Sequence, residues 1–551
     1  MKSALIRSER TFLWKRITGL SVYVLMIRQS GLFRRCLLFS PVLLLAFALR
    51  VWDIDARSLW FDEAFEYWSA NAPFWEIPGN VLTSYQPPFY TYLLHMWLKF
   101  GIEAVWLRFL SVGLSMLNIV GVMTLGYRLF SLRGALIAGG MAAILPSEVR
   151  YAQEVGEYAL MGCALTWVLI FLDYASKNSR WRYWGLWGLF SIISVYTHYG
   201  AIIVVASSAM ISLIENLWRG RKQAALQQVA VSITILLLCL PLFGFFLPRQ
   251  VQVPSRNILA IPVRSLSTEI AGFVDSIGNT FLFQLTGWPF STLPKWIGTI
   301  EIALIFALSL SIIARPFARV QKRSLWWFWV AYICYFVVVR SGLYAYGNYG
   351  FRYALILAPL FVLAVVAAVE QLVHWRQTLV AFVMFSVIVG LGVYSLPNRT
   401  LSQITREKQA WPETEDLREV TQYWMEHRNN DPTYIYYGAA PAFRYYLQLY
   451  GLDTYPLSPR WYAACWEGED SCPNGDGVFF GTWLRHLDPP AKVEAIEHTL
   501  GDWPQRLWII FSHPYPDEDQ QILDWLVEEV GYSMTHSQSE LQDPAYLLVR
   551  K

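Results

Sequence analysis

The arrangement of this chain follows from the stretch WDIDARSLWFDEAFEYWSANAPFWEIPGNVLTSYQPPFYTYLLHMWLKFG, residues 52–101. It comes directly after a first apolar span and carries Asp62, Glu63 and Glu66 between bulky aromatic side chains. Serine is preferred at helix N-caps, so Ser58 predicts a helix that begins there. On such a helix Asp62 and Glu66 are neighbours, because residues four apart share one face.

Another side of this predicted helix is apolar. It is formed by Trp60, Phe61, Ala64, Phe65 and Trp68. These two sides are typical of a helix in a membrane interface, with Trp and Phe in lipid. Interfacial helices usually carry Lys or Arg on the polar side, whereas this one carries acid. Its polar side is therefore either a solvated face or a carboxylate site at the rim of a membrane cavity.

Composition assigns the chain to the polytopic membrane proteins. Of its 551 residues, 55% are hydrophobic and only 15% are charged. The formal net charge of +3 is too small to indicate a nucleic-acid partner. The 26 Trp and 31 Tyr fit interfacial belts together with a pocket that stacks rings.

The first apolar run, residues 36–51, predicts a retained membrane anchor. No small-residue cleavage site follows it, and the preceding residues 1–35 are strongly basic. We expect this basic N-terminal segment to be cytoplasmic.

Together with the anchor, ten further apolar runs predict about eleven transmembrane helices in residues 36–395. After the anchor they are 104–127, 134–150, 158–175, 183–199, 200–218, 225–247, 297–314, 325–340, 353–371 and 377–395. Every loop then assigned to the inside contains Lys or Arg, as the positive-inside bias requires. The acidic stretch and everything after residue 396 are then extracytoplasmic, and the protein is integral to the plasma membrane.

The composition of residues 396–551 predicts a small extracytoplasmic α/β domain. Short strands are expected at 433–438, 477–483, 507–513 and 545–550, and helices at 440–451 and 518–531. Cys465 and Cys472 predict a disulfide in an extracytoplasmic loop. Acceptor binding and structural capping both stay open as roles for this domain.

Asp62 and Glu63 are the first candidates for chemistry. Adjacent helical residues diverge by about 100°, so one carboxylate is expected to face the cavity while the other orients a partner or caps backbone. Carboxylates in a poorly hydrated site resist ionising together, which raises the pKa of one toward the range useful for a general base. A bridging divalent cation, Mg²⁺ or Mn²⁺, stays open as an alternative.

The segment PSEVRYAQEVGEYAL, residues 146–160, lies at the predicted outer end of the third span. Arg150 and Glu154 are four residues apart, so an ordinary ion pair on a helix surface is one interpretation. The other makes the segment, with Tyr151 and Glu157, a second acidic wall of the cavity. Ionisable groups at this depth are costly unless they are paired or hydrated.

Two further segments contribute candidates at the outer surface. His198 stands where two spans meet and is either an ordinary interface residue or part of the site. In RSGLYAYGNYGFRYALILAP, residues 340–359, Tyr346 and Tyr353 are candidates for substrate binding, although an aromatic belt also explains them. It does not explain Arg352, whose guanidinium suits bidentate binding of phosphate.

Together these segments resemble the GT-C superfamily of membrane glycosyltransferases, and within it the dolichyl-phosphate-mannose protein mannosyltransferase and aminoarabinose transferase family. The matching segments are LWFDEAF (59–65), QPPFYTYLL (86–94), LRFLS (107–111), PSEVRYAQEVGEYAL (146–160), YTHYGA (196–201) and FRYALILAP (351–359). They occur in the family's order and cover the membrane half of the chain.

The resemblance implies inverting transfer of a sugar, of hexosyl or mannosyl type, from a polyprenyl-phosphate donor to an extracytoplasmic hydroxyl. It makes Asp62 the catalytic aspartate, with Glu63 as its neighbour, and Glu154 the acid of a Tyr-x-Gln-Glu pattern. The family often has Arg two positions after that acid, where this chain has Gly156. Arg150 or Arg352 must then take over the role of that Arg.

In the expected reaction, Asp62 takes the proton of the acceptor hydroxyl. Arg352, with Arg57 and Arg256 behind it, stabilises the departing phosphate. The acceptor is a protein, lipid or glycan, and membrane lipids surround the site. Two other functions stay open: a transporter, which predicts charges near the bilayer midplane, and a scaffold or receptor for envelope assembly.

Overall fold

A computed structural model describes residues 31–82, 86–251, 319–341, 351–374, 416–452, 477–481, 487–512, 518–537 and 545–550, with single residues at 309, 377, 378, 380, 386 and 514. Arg256, Tyr346, Cys465 and Cys472 lie outside these residues. So does nearly all of the predicted spans 297–314 and 377–395.

The membrane half is helical. Its described helices are α1 (Gly31–Val51), α2 (Phe61–Ala70), α3 (Ile77–Val81), α4 (Phe89–Trp97), α5 (Ala104–Leu129), α6 (Leu132–Ile144), α7 (Pro146–Ala152), α8 (Tyr158–Asn178), α9 (Trp181–Thr197), α10 (Ala201–Trp218), α11 (Lys222–Pro241), α12 (Leu247–Val251), α13 (Arg319–Arg340) and α14 (Ala358–His374). A π-helical turn, Leu242–Phe246, joins α11 to α12, and a 3₁₀ turn, Phe351–Leu357, precedes α14.

Five helical segments within the described ranges are long and apolar enough to cross a membrane. They are Ala104–Leu129, Tyr158–Asn178, Ala201–Trp218, Lys222–Gln250 and Arg352–His374. Each coincides with a predicted span, because a hydrocarbon core of about 30 Å selects about 20 apolar residues. The chain is an integral membrane protein, and the total of about eleven crossings stays a prediction.

The predicted span 134–150 is wrong as a single helix. Helices α6 and α7 meet there at a bend of 60°. Leu145, which separates them, has extended backbone with ψ 119°, because the residue before a proline is driven out of the α region by the ring of Pro146. The bend turns the Arg150-containing helix across the end of the bundle.

Helix α2 begins at Phe61, so the predicted start at Ser58 is wrong. Its N-cap position is Trp60, which makes no side-chain capping hydrogen bond. The backbone before it is held outside the helix by Arg108, which donates to the carbonyl oxygens of Arg57 and Ser58, each at 2.9 Å.

The C-terminal unit, which we define as the described residues from 416 to 550, contains a five-stranded sheet in the order β2-β1-β3-β5-β4. The strands are β1 (Thr433–Ile435), β2 (Val478–Phe480), β3 (Arg506–Ile510), β4 (Tyr532–Ser537) and β5 (Ala545–Arg550). Strand β1 is parallel to β2 and β3, whereas β5 is antiparallel to β3 and β4. The helices are α15 (Leu417–His427), α16 (Ala440–Leu449), α17 (Pro489–Leu500) and α18 (Glu518–Glu528).

The four predicted strands and two predicted helices of this unit are each present. Strand β4 was not predicted, because YSMTHS has no continuous apolar run and lies at a sheet edge. Helices α15 and α17 were not predicted either.

Two apolar cores organise the C-terminal unit and its contact with the membrane half. One lies between a face of the sheet and α17 and α18. The other runs from the opposite face through α15 and α16 into α2, α4 and α5, and it includes Leu59, Tyr67 and Trp68 together with Phe443 and Tyr446. The prediction that Trp68 faces lipid is therefore wrong, since its side chain is only 1% exposed and lies between α2 and α16.

Basic residues from predicted inside loops gather around Asp173, near the C-terminal end of α8. Arg128, Lys177 and Arg323 all bind this carboxylate, at 2.5, 2.9 and 2.9 Å. Helix α2 contacts the opposite ends of α5 and α8, because its Glu63 binds Arg108 near the start of α5 and the N–H of Val155 just before α8.

Candidate functional site

The loop that leads to the acidic helix is held by two reciprocal contacts between α1 and the bent pair α6–α7. Arg50, at the end of α1, donates to the carbonyl oxygens of Ala142 and Ala143 at 2.9 and 3.1 Å. Gln153, just after α7, donates to the carbonyl oxygens of Arg50 and Trp52 at 3.1 and 2.7 Å. Carbonyl groups at helix ends lack intrahelical partners, so these contacts satisfy them and fix both ends.

Glu63 binds Arg108 in the interior. The Nε and Nη2 groups of Arg108 donate to the two oxygens of Glu63 at 2.9 and 2.6 Å, and the N–H of Val155 donates to Glu63 Oε1 at 2.9 Å. Both side chains are buried, at 1% and 0% exposure. This pair ties α2 to α5 and to the loop before α8.

Asp62 points away from Glu63, as the divergence of adjacent helical residues requires. Its Oδ2 accepts a hydrogen bond from Arg352 Nη1 at 2.6 Å. The two side chains are 39% and 25% exposed, so this pair is accessible from outside the protein. Arg352 Nε is buried and has no hydrogen-bond partner among the residues that the structure describes.

Three further carboxyl groups surround this pair, and burial alters their protonation. Burial and the nearby Glu66 carboxylate raise the pKa of Glu157 to about 8. Burial raises the pKa of Glu154 to about 7, although the charge of Arg150 acts in the opposite direction. Burial also raises the pKa of Glu66 to about 7, opposed by a hydrogen bond of 2.6 Å from Thr91 Oγ1.

Aromatic rings line the same region. The rings of Tyr151 and Tyr158 make an edge contact at 4.7 Å. His198 is fully buried, and its ring lies 5.9 Å from Tyr158 and 5.7 Å from Tyr353. The Nδ1 atom of His198 accepts a hydrogen bond from the N–H of Gly200 at 3.1 Å.

Two other predicted arginines lie beside the acidic wall. Arg57 donates to the carbonyl oxygen of Gln153 at 3.4 Å, and its charge acts on Glu154. The guanidinium of Arg150 lies 5.4 Å from the ring of Tyr151. The structure therefore brings together the predicted site residues that it describes: Arg57, Asp62, Glu63, Arg150, Tyr151, Glu154, Glu157, His198, Arg352 and Tyr353.

Arg108, Glu66 and Arg50 were not predicted as site residues. Arg108 and Arg50 each interrupt an apolar run of the sequence. An arginine within such a run is costly unless it has a partner, and this signal could have identified both residues. Glu66 was predicted on the Asp62 face, but its proximity to Glu157 depends on the tertiary structure.

The geometry does not fit a divalent ion bridging Asp62 and Glu63, because Arg108 and the Val155 N–H already bind both oxygens of Glu63. Within the described ranges, no three His, Cys, Asp or Glu side chains are grouped to hold a metal.

Residues 85–245 match the family model of dolichyl-phosphate-mannose-protein mannosyltransferases. No protein of curated function matches the chain in sequence.

Two solved structures share the fold at low sequence identity. The first is ArnT from Cupriavidus metallidurans bound to undecaprenyl phosphate, at 14% identity and a TM-score of 0.52, covering 94% of this chain and 98% of that one. The second is the apo form of the Archaeoglobus fulgidus oligosaccharyltransferase, at 12% identity and a TM-score of 0.50, covering 87% and 69%. The family-model match is thus confined to residues 85–245, whereas the shared fold extends over most of the chain.

Proposed function

We propose that this protein transfers a sugar from a polyprenyl-phosphate donor to an acceptor hydroxyl, with Asp62 as the general base. The observation that carries this proposal is the ion pair of Asp62 with Arg352 at the end of apolar membrane helices. A donor with a prenyl tail and a charged phosphate needs a site where lipid and polar groups meet.

The reaction is a single displacement at the anomeric carbon. Asp62 takes the proton of the acceptor hydroxyl while the acceptor oxygen forms a bond to the anomeric carbon. The bond from the anomeric carbon to the phosphate oxygen breaks, and the polyprenyl phosphate leaves with the electron pair. Attack opposite the leaving group inverts the anomeric centre and needs one base and no nucleophilic carboxylate.

Arg352 is suited to the leaving phosphate. Its buried Nε lacks a partner among the described residues, and its Nη1 contacts Asp62 at 2.6 Å. A guanidinium that bridges the base and the phosphate fixes their separation and stabilises the negative charge that develops on the leaving group. Arg57 and Arg150 add positive charge beside Glu154.

Asp62 fits the role of base better than Glu63. Glu63 is 1% exposed and binds Arg108, so an acceptor cannot reach it without breaking a buried pair. Asp62 is 39% exposed, so a hydroxyl can approach its carboxylate. We assign Glu63 a structural role and Asp62 the proton transfer.

The raised pKa values of Glu154 and Glu157 are compatible with an anionic donor. Protonated carboxyl groups do not repel a phosphate, and they can donate hydrogen bonds to sugar oxygens. We assign these two residues to the sugar.

The test is transfer of labelled sugar from purified polyprenyl-phosphate sugars by the purified protein in lipid nanodiscs. The substitution Asp62→Asn should abolish transfer while donor binding, measured by native mass spectrometry, is retained. Asp55→Asn is the matched control, because Asp55 is on the loop that precedes α2, is 65% exposed and pairs with Arg418 instead. Turnover by Asp62→Asn close to that of the wild type would refute the proposed base.

A further inference from the structure

We infer that α16 of the C-terminal unit is part of the support of the catalytic helix, and that Tyr446 is a positioning residue for Asp62. This positioning role rests on the proposed function of Asp62, and it extends that function to a part of the chain that supplies no reacting group.

Helix α2 has two sides with different partners. Its acidic side contacts the membrane half, through Asp62 to Arg352 and through Glu66 to Thr91. Its aromatic side contacts α16. The helix is therefore held between the site and the C-terminal unit, and a displacement of either contact moves the Asp62 carboxylate.

Three hydrogen bonds join α2 and the residues before it to α16. The N–H of Leu59 donates to the Tyr446 hydroxyl at 2.7 Å. The indole N–H of Trp68 donates to the carbonyl oxygen of Pro441 at 2.9 Å. The Tyr67 hydroxyl donates to Gln448 Oε1 at 2.7 Å.

These hydrogen bonds lie within a buried, largely apolar contact. Tyr67 and Tyr445 make an edge contact at 4.9 Å, and the guanidinium of Arg444 lies 4.5 Å from the centre of the Trp68 ring. Leu59 and Tyr67 are fully buried, and Tyr446 is 2% exposed. A shared core of this kind is typical of parts that hold each other rigidly, whereas an acceptor-binding module that moves would have a smaller and more polar contact.

Helix α2 needs support of this kind. It has only ten residues and no side-chain N-cap, and isolated helices of this length are marginal in water. Tyr446 holds the backbone just before this helix, because its hydroxyl accepts from the N–H of Leu59, three residues before Asp62. The Tyr446 hydroxyl also lies near Arg108, and Arg108 binds Glu63, the neighbour of Asp62 in α2.

The experiment compares Tyr446→Phe with the wild type in the full-length protein. This change removes one hydroxyl and keeps the ring. Tyr450→Phe is the matched control, because Tyr450 caps the same helix and is 38% exposed. Displacement of a catalytic group by about 1 Å can cost about 100-fold in rate, so we expect kcat for Tyr446→Phe to fall tenfold or more. We expect KM for donor and acceptor to stay unchanged and Tm to stay close to that of the wild type.

A second measurement does not depend on the reaction. Hydrogen exchange of the amides in residues 59–70, followed by mass spectrometry, should become faster in Tyr446→Phe and not in Tyr450→Phe. If the wild type transfers no sugar, the proposed function fails while this measurement still tests the positioning role. A raised KM for the acceptor with unchanged kcat, or exchange equal to that of the wild type, would overturn the inference.

Discussion

Asp62 and Arg352 are 290 positions apart in the chain, yet the Arg352 guanidinium donates to the Asp62 carboxylate at 2.6 Å. Arg352 stands at the start of an apolar segment, and Asp62 is in the first turn of a helix that follows the first anchor. In the reaction proposed above, this pair combines a carboxylate for the acceptor hydroxyl with a cation for the donor phosphate.

We predict that Arg352→Lys lowers kcat/KM for the donor about 100-fold. Lysine keeps the charge but loses the planar fork that can contact Asp62 and a phosphate oxygen together. The measurement is initial rate against donor concentration with purified protein. Arg249→Lys should leave the rate unchanged, because the Arg249 guanidinium binds the carbonyl oxygen and lies over the ring of Phe245, in the adjoining π-helical turn and away from the site. A Lys variant as active as the wild type would show that a point charge suffices.

Removal of one partner of the Glu63–Arg108 pair should strongly destabilise the fold. Loss of one side of a buried ion pair leaves the other charge unpaired, which costs about 3–5 kcal/mol. We expect Glu63→Gln to lower the free energy of unfolding by about this amount, measured by denaturant titration in detergent. The double variant Glu63→Gln with Arg108→Met should be more stable than Glu63→Gln alone, and equal stability of the two would contradict this account.

Stability should decrease as pH rises from about 5 to about 8. The pKa of Glu157 is raised to about 8 and that of Glu154 to about 7, so the folded protein keeps protons that the unfolded chain has already released. The folded state therefore binds more protons than the unfolded state in this window, and raising the pH destabilises it.

The measurement is Tm against pH in nanodiscs, and Glu157→Gln should flatten the curve. Glu103→Gln, at an exposed position before α5, is the control and should not change the slope. A wild-type curve that rises with pH over the same range would rule out the assigned protonation states.

We predict that the site opens on the extracytoplasmic side of the membrane. In a background without native cysteines, an impermeant maleimide added to whole cells should label Asp55→Cys, which lies on the loop beside the site. It should not label Lys222→Cys until the cells are opened, since Lys222 begins α11 at the end where basic residues gather. The reverse labelling pattern would place the site in the cytoplasm.

Local properties of the sequence determined the membrane spans that the structure describes and the strands β1, β2, β3 and β5, since hydropathy and residue pattern depend on nearby residues alone. The same kind of reasoning predicted Asp62, Glu154 and Arg352 as site candidates, because charged groups in a membrane protein are costly unless they are paired, hydrated or functional.

Only the tertiary structure decided which charged side chains form ion pairs with each other. The sequence places Asp62 and Glu63 side by side, but the buried Arg108 takes Glu63 and thereby leaves Asp62 for Arg352. The same arginine binds the backbone of Arg57 and Ser58, which is why α2 starts later than its residue preferences indicate. The partner of the aromatic side of α2 is protein and not lipid for a similar reason. Burial against α16 depends on chain segments hundreds of residues away, and no local pattern encodes a contact of that kind.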